Sequence, residues 1–108
     1  MIEEIIEELK TELSETEGEK FSLTLLVSKV KGAYRDVKAA RRYPDSYTEA
    51  KIERDMLNYF SQIKDVARYD YNILGAEGQT QYSQDGVSVH YVEREKLFYG
   101  VLPIAQRG

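Results

Sequence analysis

Pro44 constrains this chain more than any other residue, because helical periodicity runs up to it from one side and away from it on the other. Proline lacks the N–H that a helix interior needs and biases the preceding residue, Tyr43, away from helical geometry. Upstream, Leu23, Leu26, Val27, Val30, Tyr34 and Val37 fall at helical spacing, which predicts a helix over 22–43. Ser22 suits its cap, and Phe21 is placed to staple onto Leu26. Gly32 sits in the middle of that helix, where close helix packing would offset its cost. Downstream, Ser46 and Glu49 stand at capping-box spacing. Ile52, Met56, Tyr59, Phe60, Ile63, Val66, Ala67 and Leu74 then keep the helical period to Gly75, predicting a second helix over 46–74. Two long helices with so short a connection pack antiparallel.

The N-terminus predicts a shorter, acidic helix over 1–17. Ile2, Ile5, Ile6, Leu9 and Leu13 form one narrow apolar stripe, and Gly18 stops it. Residues 1–19 hold eight acids against Lys10, so within a net charge of -4 the remainder of the chain is mildly basic. Such a run reads either as a solvated helix face or as an acidic element that docks on a basic neighbour. A helix this short needs a surface to lie on. Ile5, Ile6 and Leu9 are expected to supply the contact with the helix pair, within the chain or in an adjacent copy.

Past Gly75 the pattern changes. Asp85-Gly86 is a hairpin turn signal, and Val87, Val89 and Tyr91 alternate with Ser88 and His90, which predicts a β-hairpin or extended loop arm over 75–92. An isolated hairpin is barely stable in water, so this one must lie on the helices or on a neighbouring chain. Residues 93–108 read as a tail, with a helical turn within 94–99 and an apolar stretch around Pro103. The expected fold is mainly α and a single domain of 108 residues: an antiparallel long-helix pair, a short acidic helix and a C-terminal hairpin or loop arm.

The sequence offers little for catalysis. It has no cysteine and one histidine, His90, on the polar side of a predicted strand, and its glycines form no phosphate-binding loop. No catalytic residue, cofactor or metal site is expected. No apolar run approaches the roughly 18 residues that cross a bilayer, and Met1-Ile2-Glu3-Glu4 is unlike a basic signal-peptide start. An intracellular, soluble protein without a membrane partner is therefore expected. Interaction signals are clearer. Lys31, Arg35, Lys38 and Arg42 step by four, three and four and share one face of the first long helix. That stripe reads as a solvated face, as a phosphate contact, or as a salt-bridging surface for an acidic partner. The acidic helix of an adjacent copy, through Glu4 and Glu8, is one such partner. Nine tyrosines are present, and Tyr82, Tyr91 and Tyr99 lie outside the helix pair, where with Val87 and Val89 they are candidate interface residues.

The stretch Tyr69-Asp70-Tyr71-Asn72-Ile73-Leu74-Gly75-Ala76-Glu77-Gly78-Gln79-Thr80, followed by Ser83-Gln84-Asp85-Gly86-Val87-Ser88 and Tyr91, resembles the small head–tail connector proteins of tailed bacteriophages, also called head-completion or adaptor proteins. The Arg42-Tyr43-Pro44 turn and the long helix after it fit the same pattern, so the resemblance spans residues 21 to 92. It implies a non-enzymatic virion protein that forms a homo-oligomeric ring beneath the portal protein. The ring would give a stopper or tail-completion protein a docking surface and stand close to packaged DNA without reading its sequence. The residues alone also leave room for a small helical nucleic-acid-binding or protein-interaction module.

Overall fold

A computed structural model describes residues 1–75 and 93–104. Among the described residues the protein is mainly helical, and no strand is present. Its longer helices among the described residues are α1 (Ile2–Glu17), α2 (Leu23–Arg41), α3 (Glu49–Met56) and α4 (Phe60–Asp70). The expected hairpin, with Tyr82, Val87, Val89, His90 and Tyr91, lies outside the described residues.

Local chemistry accounts for several helix ends. Ser22 caps α2 as expected, its hydroxyl accepting from the Leu25 N–H at 3.2 Å. The helix stops short of residue 43 because Arg42 adopts left-handed geometry, φ 51° and ψ 58°, and its N–H turns back to the Ala39 carbonyl. The cap of α3 is Thr48, not Ser46. The Tyr47 N–H bonds the Pro44 carbonyl at 3.0 Å, so Ser46 is held inside a closed turn and the helix can start only beyond it. Thr48 then accepts from the Lys51 N–H at 3.1 Å.

The expected single helix over 46–74 is interrupted twice. A 3-10 turn over Leu57–Tyr59 separates α3 from α4, and a π turn over Tyr71–Gly75 follows α4. No proline or glycine marks the first interruption. The tightened turn brings the Tyr59 ring to 4.9 Å from the Arg41 guanidinium and leaves Leu57 59% exposed.

Long-range hydrogen bonds fix the topology. The Ser22 N–H at the start of α2 meets the Tyr71 hydroxyl beyond α4, and Arg41 at the end of α2 meets Asp55 on α3. The chain therefore reverses between α2 and the α3–α4 arm. Glu8 pairs with Lys64 and Glu12 with Arg68, one turn apart on each helix, so α1 runs parallel to α4.

The core lies between α1, α2 and α4. Ile5 and Leu9 are fully buried, as are Leu26, Val30, Ala33 and Val37 on α2 and Ile63, Val66 and Ala67 on α4. Met56 closes one end, while Tyr71 and Val101 join the same cluster. Each large aliphatic side chain buried this way contributes about 1.5–3 kcal/mol, more than a surface ion pair does. The acidic helix is thus seated on its own chain through Ile5 and Leu9, with Ile6 at the flank. Gly32 does not serve close helix packing: a Cβ there would meet only the Arg35 guanidinium, at 3.7 Å.

Candidate interaction surfaces

Three polar clusters divide the charged side chains into those engaged within the fold and those left at the surface. In the first, Arg94 donates from Nε to Asp70 Oδ1 at 2.7 Å and from Nη2 to Asp70 Oδ2 at 2.8 Å, and Nη2 also reaches Asp36 Oδ2 at 2.8 Å. Asp70 is 5% exposed, so its charge needs this two-pronged partner. The hydrogen bond to Asp70 is the main reason that the Arg94 guanidinium is held above its ordinary value. The contact ties a short helical turn, residues 93–96, to both α2 and α4. The Tyr69 hydroxyl reaches Glu93 at 3.4 Å beside it.

The second cluster surrounds Arg41, whose side chain turns inward. It grips Asp55 through Nε at 2.9 Å and Nη2 at 3.1 Å, stands over the Tyr59 ring, and donates to the Leu102 carbonyl. Tyr43 donates its hydroxyl proton to Asp55 as well. Burial pushes the Asp55 carboxyl up, but the hydrogen bonds from Tyr43 and Arg41 outweigh it and leave the group below the usual aspartate value. Burial and the bond to Asp55 hold the Tyr43 phenol well above its usual value. The Ile104 N–H donates to the Arg41 carbonyl at 2.7 Å, so residues 101–104 satisfy an otherwise open carbonyl at the end of α2.

The third cluster holds the end of α1. Tyr71, nearly buried, donates to Glu17 at 2.9 Å while accepting from the Ser22 N–H, and its ring packs on Phe21 with centroids 6.0 Å apart. Arg68 binds Glu12 through two nitrogens, and this bond holds the Glu12 carboxyl below its usual value.

Some of the remaining charges line two surface hollows. Lys31, Lys38 and Arg42 are exposed and make no ion pair among the described residues; Arg35, with a side chain 80% exposed, only approaches Asp36 at 3.8 Å. Arg35, Lys38 and Arg42 line an open groove with Tyr43, Pro44, Tyr47 and Ile52, and among the described residues Asp45 is the acid in its lining. A second hollow is lined by Ile2, Tyr34, Leu57 and Met1, and its charges are the carboxylates of Glu3 and Glu53 and the Met1 amino group.

The sequence-level candidates therefore separate. The structure brings Arg35, Lys38 and Arg42 together on the groove and leaves Lys31 exposed one turn earlier. Glu4 is exposed, whereas Glu8 already bonds Lys64 at 2.7 Å inside the fold. Tyr99 is 80% exposed. Arg94, Asp70 and the inward turn of Arg41 escape sequence reasoning. Nothing in local spacing distinguishes Arg41 from Arg42, and the partners of Arg94 lie far from it in the chain. Comparison with protein-family models, curated proteins and solved structures finds no match.

Proposed function

We propose that this chain is a structural subunit of a tailed-phage virion, a head–tail connector that assembles as a homo-oligomeric ring between the portal protein and the stopper or tail. The supporting sequence is the tyrosine-asparagine helix end with Gly-Ala-Glu-Gly, and one observation in the fold carries the reading further. The flanks of residues 76–92 meet at the end of α4: Asp70 and Tyr69 on one side hold Arg94 and Glu93 on the other. A segment that leaves and returns at one anchored point suits a docking element on a helical base, and Tyr82, Val87, Val89 and Tyr91 lie on it. The hairpin or extended-loop form of this arm belongs to the proposal. Tyr99 and Leu102, just past the anchor in the chain, are exposed as well.

In this reading the protein acts by shape and contact, without a catalytic group or cofactor. It resides at the head–tail junction of the particle and in the host cytoplasm during assembly. The exposed cations on α2 favour a second reading, a small helical nucleic-acid-binding module. Deleting the gene from the phage or prophage that carries it distinguishes the two. The connector reading expects DNA-filled heads and separate tails, restored to joined particles by the gene supplied in trans. Normal tailed particles from the deletion would refute it.

A further inference from the structure

The basic groove and the acidic hollow share a border. Tyr34 in the hollow and Lys38 in the groove are one turn apart on the same face of α2, and α3 contributes Ile52 to the groove and Glu53 to the hollow. Two patches of opposite sign therefore lie side by side on one face built by α2, α3 and the tip of α1. Symmetry gives that arrangement a meaning. A large closed ring needs its two complementary patches on well-separated flanks, whereas adjacent patches on one face become self-complementary under a two-fold axis between them.

We propose that the free subunit pairs with a second copy of itself through this face, each basic groove receiving the acidic hollow of the other. This goes beyond the connector reading, whose ring contacts must lie elsewhere on the subunit. Charge complementarity identifies the occupant: Arg35, Lys38 and Arg42 outnumber Asp45 on one side, and Glu3 and Glu53 outnumber the Met1 amino group on the other. The exposed Glu4 and Glu7, which form no ion pair among the described residues, stand on the same α1 tip. Both patches also carry apolar surface, Tyr47 and Ile52 in the groove and Ile2 and Leu57 in the hollow. Exposed ion pairs are individually weak and screened by salt, so the apolar residues give affinity while the charges fix the pairing. A nucleic-acid backbone would need the cations but not this apolar lining.

Sedimentation velocity of the full chain over a concentration series, at low and high salt, tests the proposal. A reversible monomer–dimer equilibrium that weakens with salt is expected. Lys38→Glu with Arg42→Glu should raise the dimer dissociation constant by roughly tenfold or more, since each reversal counts twice across a two-fold. Glu3→Lys with Glu53→Lys should do the same, and the fourfold variant should recover much of the association. All four sites are exposed, and circular dichroism confirms that each variant is folded. A chain that stays monomeric throughout, or a dimer indifferent to both reversals, overturns the proposal. So does loss of duplex-DNA retention with the dimer unchanged, which would assign the stripe to phosphate. Assemblies larger than two that ignore the reversals also overturn it, and they would leave the connector reading standing.

Discussion

Replacing Arg94 with alanine should be among the most damaging single changes outside the apolar core. The substitution removes three hydrogen bonds at once and leaves Asp70, 5% exposed, without the guanidinium that neutralises it. Breaking a fully buried ion pair from one side costs about 3–5 kcal/mol. The Arg94 side chain is 22% exposed and that of Asp36 39%, so water partly compensates and a loss of about 2–3 kcal/mol is the better expectation. For a domain near 100 residues that corresponds to a melting-temperature drop of roughly 10–20 °C. Urea and thermal unfolding followed by circular dichroism measure it. Arg94→Lys should recover only part of the loss, because a lysine cannot repeat the two-pronged grip on Asp70. Arg94→Met combined with Asp70→Leu should be far milder than Arg94→Ala, since it leaves no stranded charge. If Arg94→Ala unfolds within about 0.5 kcal/mol of the parent, residues 93–96 are not anchored through this pair and the reasoning fails.

Three further outcomes follow from the fold. Leu9→Ala removes a fully buried side chain from the α1 contact and should cost about 2–5 kcal/mol in urea unfolding; a near-neutral result would mean that α1 is not seated on α2 and α4. Gly32→Ala should stabilise by about 1 kcal/mol, because the added methyl meets only the mobile end of Arg35, and a destabilised variant would contradict the open surroundings of that glycine. Asp55 is held below its unfolded value, so its contribution is present above about pH 4 and disappears as pH falls through the folded value. Asp55→Asn should therefore flatten the acid limb of the stability profile, and an unchanged limb would show that Asp55 does not carry that linkage.

The apolar spacing made much of this architecture legible. The steps among Leu26, Val30 and Val37, and among Ile5, Leu9 and Leu13, locate real buried faces, because a helix must hide such a stripe whatever it packs on. Ser22 and Gly18 were equally readable, since a hydroxyl cap and a left-handed glycine act through neighbouring backbone alone. What local chemistry could not convey was decided at long range. Ser46 matches a capping box, yet the Pro44 turn claims it and passes the role to Thr48. Residues 57–59 carry no breaking residue, and their tight turn goes with the stacking of Tyr59 on Arg41, from a different helix. The charged stripe shows the same limit. Spacing groups Lys31, Arg35, Lys38 and Arg42, and all four are exposed, but only the folded chain reveals that three of them line one groove, that Glu8 is engaged with Lys64 and that Glu3 and Glu53 line a separate hollow.

The connector proposal is tested most directly by cryo-electron microscopy of tailed particles produced from the genome that carries this gene. The connector account predicts a ring of helical density between portal and tail into which α1, α2 and α4 fit, with residues 76–92 in contact with a neighbouring subunit or protein. A junction fully accounted for by other proteins, with this chain absent from the purified particle, would contradict it.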